Sequence, residues 1–327
     1  MSGAQWSPSI PGGPDDPAEP AEERLRRADS PPRTLLAGAG PQAPSAVAFD
    51  PALKHFAGAY RLLDPAIEDP VVREAWLRAR RTAMAVALRA VRESGWAPSL
   101  VLRGSMLMAR WFGPSAREPH DLDFVVVPAD RRIEEDRTGR MLDDIAAAAE
   151  RLAGDLDMPA REAASEYIWT YERVPGRRLV LPWSAPGLPG GQVQLDFVFN
   201  EPLPVPAEPV EVAGVPLLGA TRELSLAWKL MWLAGDLYPQ GKDLYDAVLL
   251  AESRTPSRAL VEEVFRLSGE FEEQGRTVPF TPDVFESFAH VDWSGFRREY
   301  PALDVEESGL VRRLLAALEP VFAQDGP

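Results

Sequence analysis

The sequence predicts an α+β fold: a mixed sheet with flanking helices, followed by a C-terminal helical lobe. Three observations carry this. Short stretches rich in β-branched and aromatic residues recur between residues 100 and 220, amphipathic helical patterns separate some of them, and beyond residue 221 only helical periodicity remains. At 327 residues and 45% hydrophobic, the chain can bury a sizeable core. Three segments are expected: a Pro/Ala-rich acidic extension over 1–50, a sheet-bearing domain over 51–220 and a helical domain over 221–327.

Taken in order, residues 1–50 hold GGPDDPAEPAEE and SPPRTLLAGAGPQAPSA, which offer too little apolar periodicity to offset ordering entropy, so disorder is expected. Residues 51–70 carry His55, Phe56, Tyr60, Leu62 and Leu63 and suggest a short packed helix. Val71 to Ser94 reads as an amphipathic helix ended by Gly95. Its Arg73, Arg78, Arg80, Arg81, Arg89 and Arg92 form either a basic strip or a solvated outer face. A second helix is expected over Arg131–Ala153. Tyr167–Tyr171 reads as a strand pairing with Arg178–Leu181 across a turn at Pro175-Gly176. Gly191–Asn200 alternates as another strand, with Val193, Leu195, Phe197 and Phe199 on one face and Gln192, Gln194, Asp196 and Val198 on the other. VEVAGVPLLG follows as a strand or hairpin. Thr221 then caps a helix through Leu233, and further helices are expected at Gly241–Ser253, Pro256–Glu273 and Asp304–Phe322.

A formal net charge of −15 argues against a surface that coats nucleic acid indiscriminately, though not against a local basic groove. The absence of cysteine excludes disulfides, thiolate metal sites and cysteine nucleophiles. With neither a long apolar run nor a basic-then-hydrophobic leader, the sequence reads as a soluble, cytoplasmic protein without a membrane partner.

The most informative stretch is Leu100–Pro128, LVLRGSMLMARWFGPSAREPHDLDFVVVP. A strand ends at Gly104-Ser105, where a helix opens; unpaired backbone N–H groups and the helix dipole favour a phosphate at such a turn. Asp121 and Asp123, two apart on the next strand, share a face opposite Leu122. Two carboxylates so close repel each other unless a cation neutralises them, which makes the pair a magnesium seat. A phosphate cradle beside a metal seat points to chemistry on a nucleoside triphosphate. Nucleotidyl transfer through two magnesium ions needs about three carboxylates. Asp121, Asp123 and Asp196 supply them if the Asp196 strand lies beside that of the other two. Asp196 then completes the second metal site and helps deprotonate the acceptor.

RGSMLMARWFG followed by DLDF resembles the signature of the DNA polymerase β-like nucleotidyltransferases, and within that superfamily the AbiEii/AbiGii toxin nucleotidyltransferases. Lys229 in LSLAWKLMWL and Lys242-Asp243-Leu244-Tyr245-Asp246 match the later pieces of the pattern in order. The resemblance spans about Ser99–Ala251 and implies a polymerase β-like mixed sheet, making 51–220 the nucleotidyltransferase domain. It also implies that Lys229 and an acid from the Asp243/Asp246 pair enter the active-site cleft. Arg103, Gly104, Ser105 and Lys229 become the nucleotide-binding set. Arg103, Ser105-Met106 and Lys242 stand where the family pattern has lysine, Gly-Thr and arginine. Arg103 keeps the charge and Ser105 keeps a hydroxyl, whereas Met106 offers no hydrogen bond. The implied activity is magnesium-dependent transfer of a nucleoside monophosphate from an NTP, with pyrophosphate release. RNA, tRNA above all, is the favoured acceptor, the arginine helix its candidate contact, and an antitoxin protein an implied partner. The alternatives are a small-molecule nucleotidyltransferase of the antibiotic-modifying type and a catalytically idle NTP-binding or interaction protein.

Overall fold

The computed structural model describes residues 29–37, 46–56, 58–170, 174–235, 239–269, 281–286, 291 and 293–323. In chain order its elements are helix α1 (Arg33–Ala37), strands β1 (Val47–Phe49) and β2 (Tyr60–Leu62), helix α2 (Pro70–Glu93), strand β3 (Leu100–Arg103), helix α3 (Ser105–Phe112), strand β4 (Asp121–Val126) and helix α4 (Asp136–Leu152). Strands β5 (Ala164–Thr170), β6 (Val174–Trp183), β7 (Gly191–Val198), β8 (Glu208–Val212) and β9 (Val215–Gly219) follow. Helices α5 (Arg222–Gly235), α6 (Gly241–Ser253), α7 (Arg258–Ser268), α8 (Pro282–Glu286), α9 (Ser294–Glu299) and α10 (Glu307–Phe322) complete the described chain. The packing divides it into two units, each built from two segments: Met1–Trp96 with Asp130–Asn200, and Ala97–Ala129 with Glu201–Pro327.

In the first unit β5, β6 and β7 pair antiparallel, and α2 packs against α4 and β7. Helix α2 starts where Asp69 accepts hydrogen bonds from the backbone N–H groups of Val71 (2.8 Å) and Val72 (3.3 Å), with Pro70 in the first turn. It stops at Ser94 because Gly95 adopts φ 83°. Trp76, buried on its inner face, donates its indole N–H to the Pro189 carbonyl at 3.1 Å. The expected Pro175-Gly176 turn is a correction. Pro175 pairs with Trp169 and Gly176 with Ile168 inside the β5–β6 ladder, and Tyr171 lies outside the described residues. Glycine is needed there because a Cβ on Gly176 would come within 2.9 Å of both Ile168 Cγ1 and the Phe197 carbonyl.

The second unit carries four paired strands of mixed direction: β3 runs antiparallel to β4 and parallel to β9, and β9 pairs antiparallel with β8. The β8–β9 hairpin turns at Ala213-Gly214, both with positive φ (49° and 76°), the handedness a two-residue hairpin loop requires. Leu102, Leu107, Leu122 and Phe124 are fully buried in this unit. Thr221 Oγ1 accepts from the Leu224 N–H at 3.1 Å and so caps α5, as expected. Helix α5 packs on α6 and α7, and α6 packs on α10.

Two further expectations meet differences. Residues on both sides of the boundary expected at 220/221 lie in the second unit. Residues 51–70, expected as a short helix, give a one-turn 3-10 helix at Pro51–Leu53, with Asp50 accepting from the Ala52 N–H, and then strand β2. Much of the expected 1–50 extension lies outside the described residues, but its described part includes α1, β1 and the buried carboxylate of Asp50. The expected Arg131–Ala153 helix begins at Asp136, and the Pro256–Glu273 helix is seen as α7, with residues from 270 onward outside the described set.

Candidate active site

The second unit brings together most of the residues singled out by the sequence. On β4, Asp121 and Asp123 are half-buried while Leu122 and Phe124 between and beyond them are fully buried. The two carboxylates therefore share the outward face. Arg103 on β3 pairs in register with Asp123, which sets the Gly104 turn directly against the aspartate. Gly104 adopts φ 74°, and a Cβ there would collide with the Asp123 carboxylate, its Cγ at 3.2 Å. Only glycine satisfies both the backbone angle and the approach. Ser105, the first residue of α3, is fully buried and donates its hydroxyl to Asp121 Oδ1 (3.1 Å) and the Asp121 carbonyl (3.2 Å). Turn and carboxylate pair are thus one construction: Gly104 abuts Asp123, and Ser105 holds Asp121.

Beside them on α5 and α6 lies a buried ionic cluster. Lys229 is 5% exposed, and its Nζ lies 2.6 Å from Asp243 Oδ1, 3.3 Å from Asp246 Oδ2 and 4.7 Å from the centre of the Trp232 ring. Asp243 and Asp246 share the inward face of α6, as their spacing of three implies. Arg117, from the loop before β4, grips Asp246 in a fork: Nε lies 3.1 Å from each carboxylate oxygen and Nη2 3.0 Å from Oδ2. Its Nη1 donates to the Tyr300 hydroxyl at 2.9 Å. His120 lies 3.5 Å from Glu299 and its ring stacks at 5.0 Å on Tyr300.

The electrostatics follow from this crowding. Burial alone would raise the Asp243 pKa, but Lys229, Lys242 and Arg117 outweigh it and hold the carboxyl below its ordinary range. Burial works against the charge on Lys242, yet Asp243 and Asp121 overcome it and keep the ammonium protonated well beyond its usual range. Burial raises the Tyr300 phenol.

Three expectations look different in place. Arg103 is 3% exposed, its guanidinium 2.6 Å from Glu201 and 5.3 and 5.2 Å from the Trp228 and Trp232 ring centres. Burial raises the Glu201 pKa despite this pairing. The phosphate-binding expectation for Arg103 thus meets a guanidinium already engaged. Among the described residues no group of three or more His, Asp or Glu side chains is placed to hold a metal ion. Asp196 belongs to the first unit, where Arg178 binds both its oxygens at 2.8 Å and Gln194 donates to it at 3.2 Å. The same guanidinium reaches Asp50 at 2.6 Å, so one buried arginine serves two buried acids. The arginines of α2 are partly committed as well. Arg80 is buried against Asp64, Arg78 and Arg81 lie 4.0 and 3.9 Å from Glu74, and Arg89 donates to the Leu152 carbonyl.

Sequence reasoning passed over Arg117, Tyr300 and Glu201. Arg117 carried a signal, a lone arginine four residues ahead of the first aspartate. Tyr300 carried none, since 183 positions separate it from the arginine it meets.

A family model described as nucleotidyl transferase AbiEii toxin, type IV TA system, matches residues 86–319. JHP933 from Helicobacter pylori is similar in structure, with 14% identity and a TM-score of 0.42, covering 76% of this chain and 92% of its own. An antigenic nucleotidyltransferase-like protein from Paracoccidioides brasiliensis is similar at 14% identity and TM-score 0.35, over 62% of this chain and 91% of its own. No curated protein matches.

Proposed function

Because the chain belongs to the AbiEii nucleotidyl transferase toxin family of type IV toxin–antitoxin systems, we propose that it performs its nucleotidyl transfer with magnesium, moving NMP from an NTP to an RNA acceptor, tRNA above all, and releasing pyrophosphate. The observation that carries this reading is the Gly104-Ser105 turn set against the Asp121/Asp123 pair. Two half-buried carboxylates on one strand face fit a magnesium ion, which is commonly held by one or two protein carboxylates with phosphate oxygens and water. When bound, the metal supplies charge neutralisation at the triphosphate. Asp121 and Asp123 are its proposed ligands. Asp196, expected as a third, is left out of the set because Arg178 already occupies both its oxygens.

The remaining work falls to the chain's own groups. Backbone N–H groups at the start of α3 face the anion, and Ser105 keeps Asp121 in place. Lys229 and Lys242 supply positive charge next to the acids, and Asp243, kept ionised by them, holds Lys229 in place at 2.6 Å and is available as a proton acceptor. An antitoxin protein as partner and a cytoplasmic location accompany the proposal, and no described helix is long and apolar enough to cross a membrane.

The test is to incubate the purified protein with each α-labelled NTP, with and without magnesium, offering total tRNA or a panel of small hydroxyl compounds. Label should enter RNA, only with magnesium, and vanish in Asp123→Ala. Label confined to small molecules would overturn the RNA acceptor, and full transfer in chelator would overturn the metal.

A further inference from the structure

The two acids of α6 are equivalent in sequence, yet they occupy different places. Asp246 is fully buried and both its oxygens are taken by the Arg117 fork, while Asp243 retains 9% exposure and makes its shortest ion pair, 2.6 Å, with Lys229. Lys229 stands between them, nearer to Asp243 than to Asp246 by the difference of 2.6 and 3.3 Å. We propose that Asp243 is the acid that works in the transfer, and that Asp246 and Arg117 form a buried positioning pair that sets Lys229 beside it. This rests on the transfer reading above.

Four observations support the division of roles. A carboxylate with no exposed surface and a guanidinium across both oxygens cannot reach an acceptor hydroxyl unless the fork opens. Arg117 is in turn fixed by the Tyr300 hydroxyl at 2.9 Å, so the fork is braced from its far side. Asp243, by contrast, shares the cation Lys242 with Asp121, which places it in the field of the carboxylate pair. Arg117 also feels Asp121, so the positioning pair ties α6 to the loop that leads into β4.

The experiment uses the full chain, with kcat and KM for the NTP measured alongside thermal unfolding. Asp243→Asn should stay folded at the assay temperature and lose kcat by on the order of 10³-fold. Asp246→Asn should lose both stability, with Tm lower by about 10 °C, and rate, because it leaves Arg117 buried against a neutral group. The deciding variant is the double change Arg117→Met with Asp246→Leu. Apolar side chains of similar volume often replace a buried ion pair at little cost. Lys229 keeps Asp243 in that variant, so stability should return and kcat should recover to within about tenfold of the wild type. A double variant that folds like the wild type but is as inactive as Asp243→Asn would overturn the proposal, because Asp246 or Arg117 would then take part in the chemistry. So would an Asp243→Asn variant with undiminished kcat. Failure of the wild type to transfer label from any NTP is a different outcome: it sinks the transfer reading, and this assignment with it.

Discussion

Gly104 is where a single methyl group should do most harm. Alanine there needs a left-handed backbone angle and space already filled by the Asp123 carboxylate. Gly104→Ala should cost about 1–3 kcal/mol of stability and, by displacing Asp123, lower kcat by at least about 10²-fold. Thermal unfolding and the labelled-NTP assay measure the two effects separately. Asp243 yields a pH prediction whose sign is fixed by its surroundings. Its folded pKa lies below the ordinary 3.8, so its ionised form contributes stability that is present above that value and lost as pH falls through the lower folded pKa. The stability gap between wild type and Asp243→Asn should therefore be constant across neutral and mildly acidic pH and close only in strong acid. A gap that closes near pH 6 would contradict this. At this scale the sequence was readable where chemistry and spacing coincide, as for Asp121, Asp123 and Gly104. It was unreadable where the partner is remote. Nothing near Arg103 foretold Glu201 and two tryptophans, and nothing near Asp196 foretold that Arg178 and Asp50 would share its ionic cluster.

Helices declare themselves through caps and period, and α2 shows how much one cap contributes. Asp69→Ala removes two hydrogen bonds to orphan N–H groups and should cost about 1 kcal/mol, a fall of about 2–4 °C in Tm, with transfer kinetics unchanged. At the start of α3 the serine serves the site more than the helix, because Gly104 occupies the capping position and the Ser105 hydroxyl turns to Asp121. Ser105→Ala should thus lower kcat by about tenfold while moving Tm little. Strands were harder to read than helices. The β8–β9 hairpin was legible because Ala213-Gly214 sits between alternating runs, but Pro175-Gly176 carried the same turn signal inside a long ladder. There the glycine answers to close packing against Ile168 and Phe197, a demand that sequence alone cannot distinguish from a turn.

Over the whole molecule, the buried ionic cluster of the first unit carries a stability prediction of its own. Arg178→Met strands two buried carboxylates and should destabilise by about 3–5 kcal/mol, yet leave the NTP KM unchanged at a temperature where the variant is folded. A large rise in that KM would show that Asp196 matters to the nucleotide after all. The second unit joins distant stretches of chain: β3 takes its parallel partner β9 from residues that come after residue 201. Periodicity reports neighbours along the chain, and this unit is closed by residues far apart along it.

That interleaving has a consequence for how the protein is made. A ribosome completes Asp121 and Asp123 more than a hundred residues before Lys229, Asp243 and Tyr300, so a nascent chain carries its acidic pair long before the lysines and the tyrosine of the finished site. Fragments released early, or cut at the midpoint, should be inert toward NTPs. Two complementary fragments split in the hairpin at Ala213-Gly214 should recover transfer only when mixed.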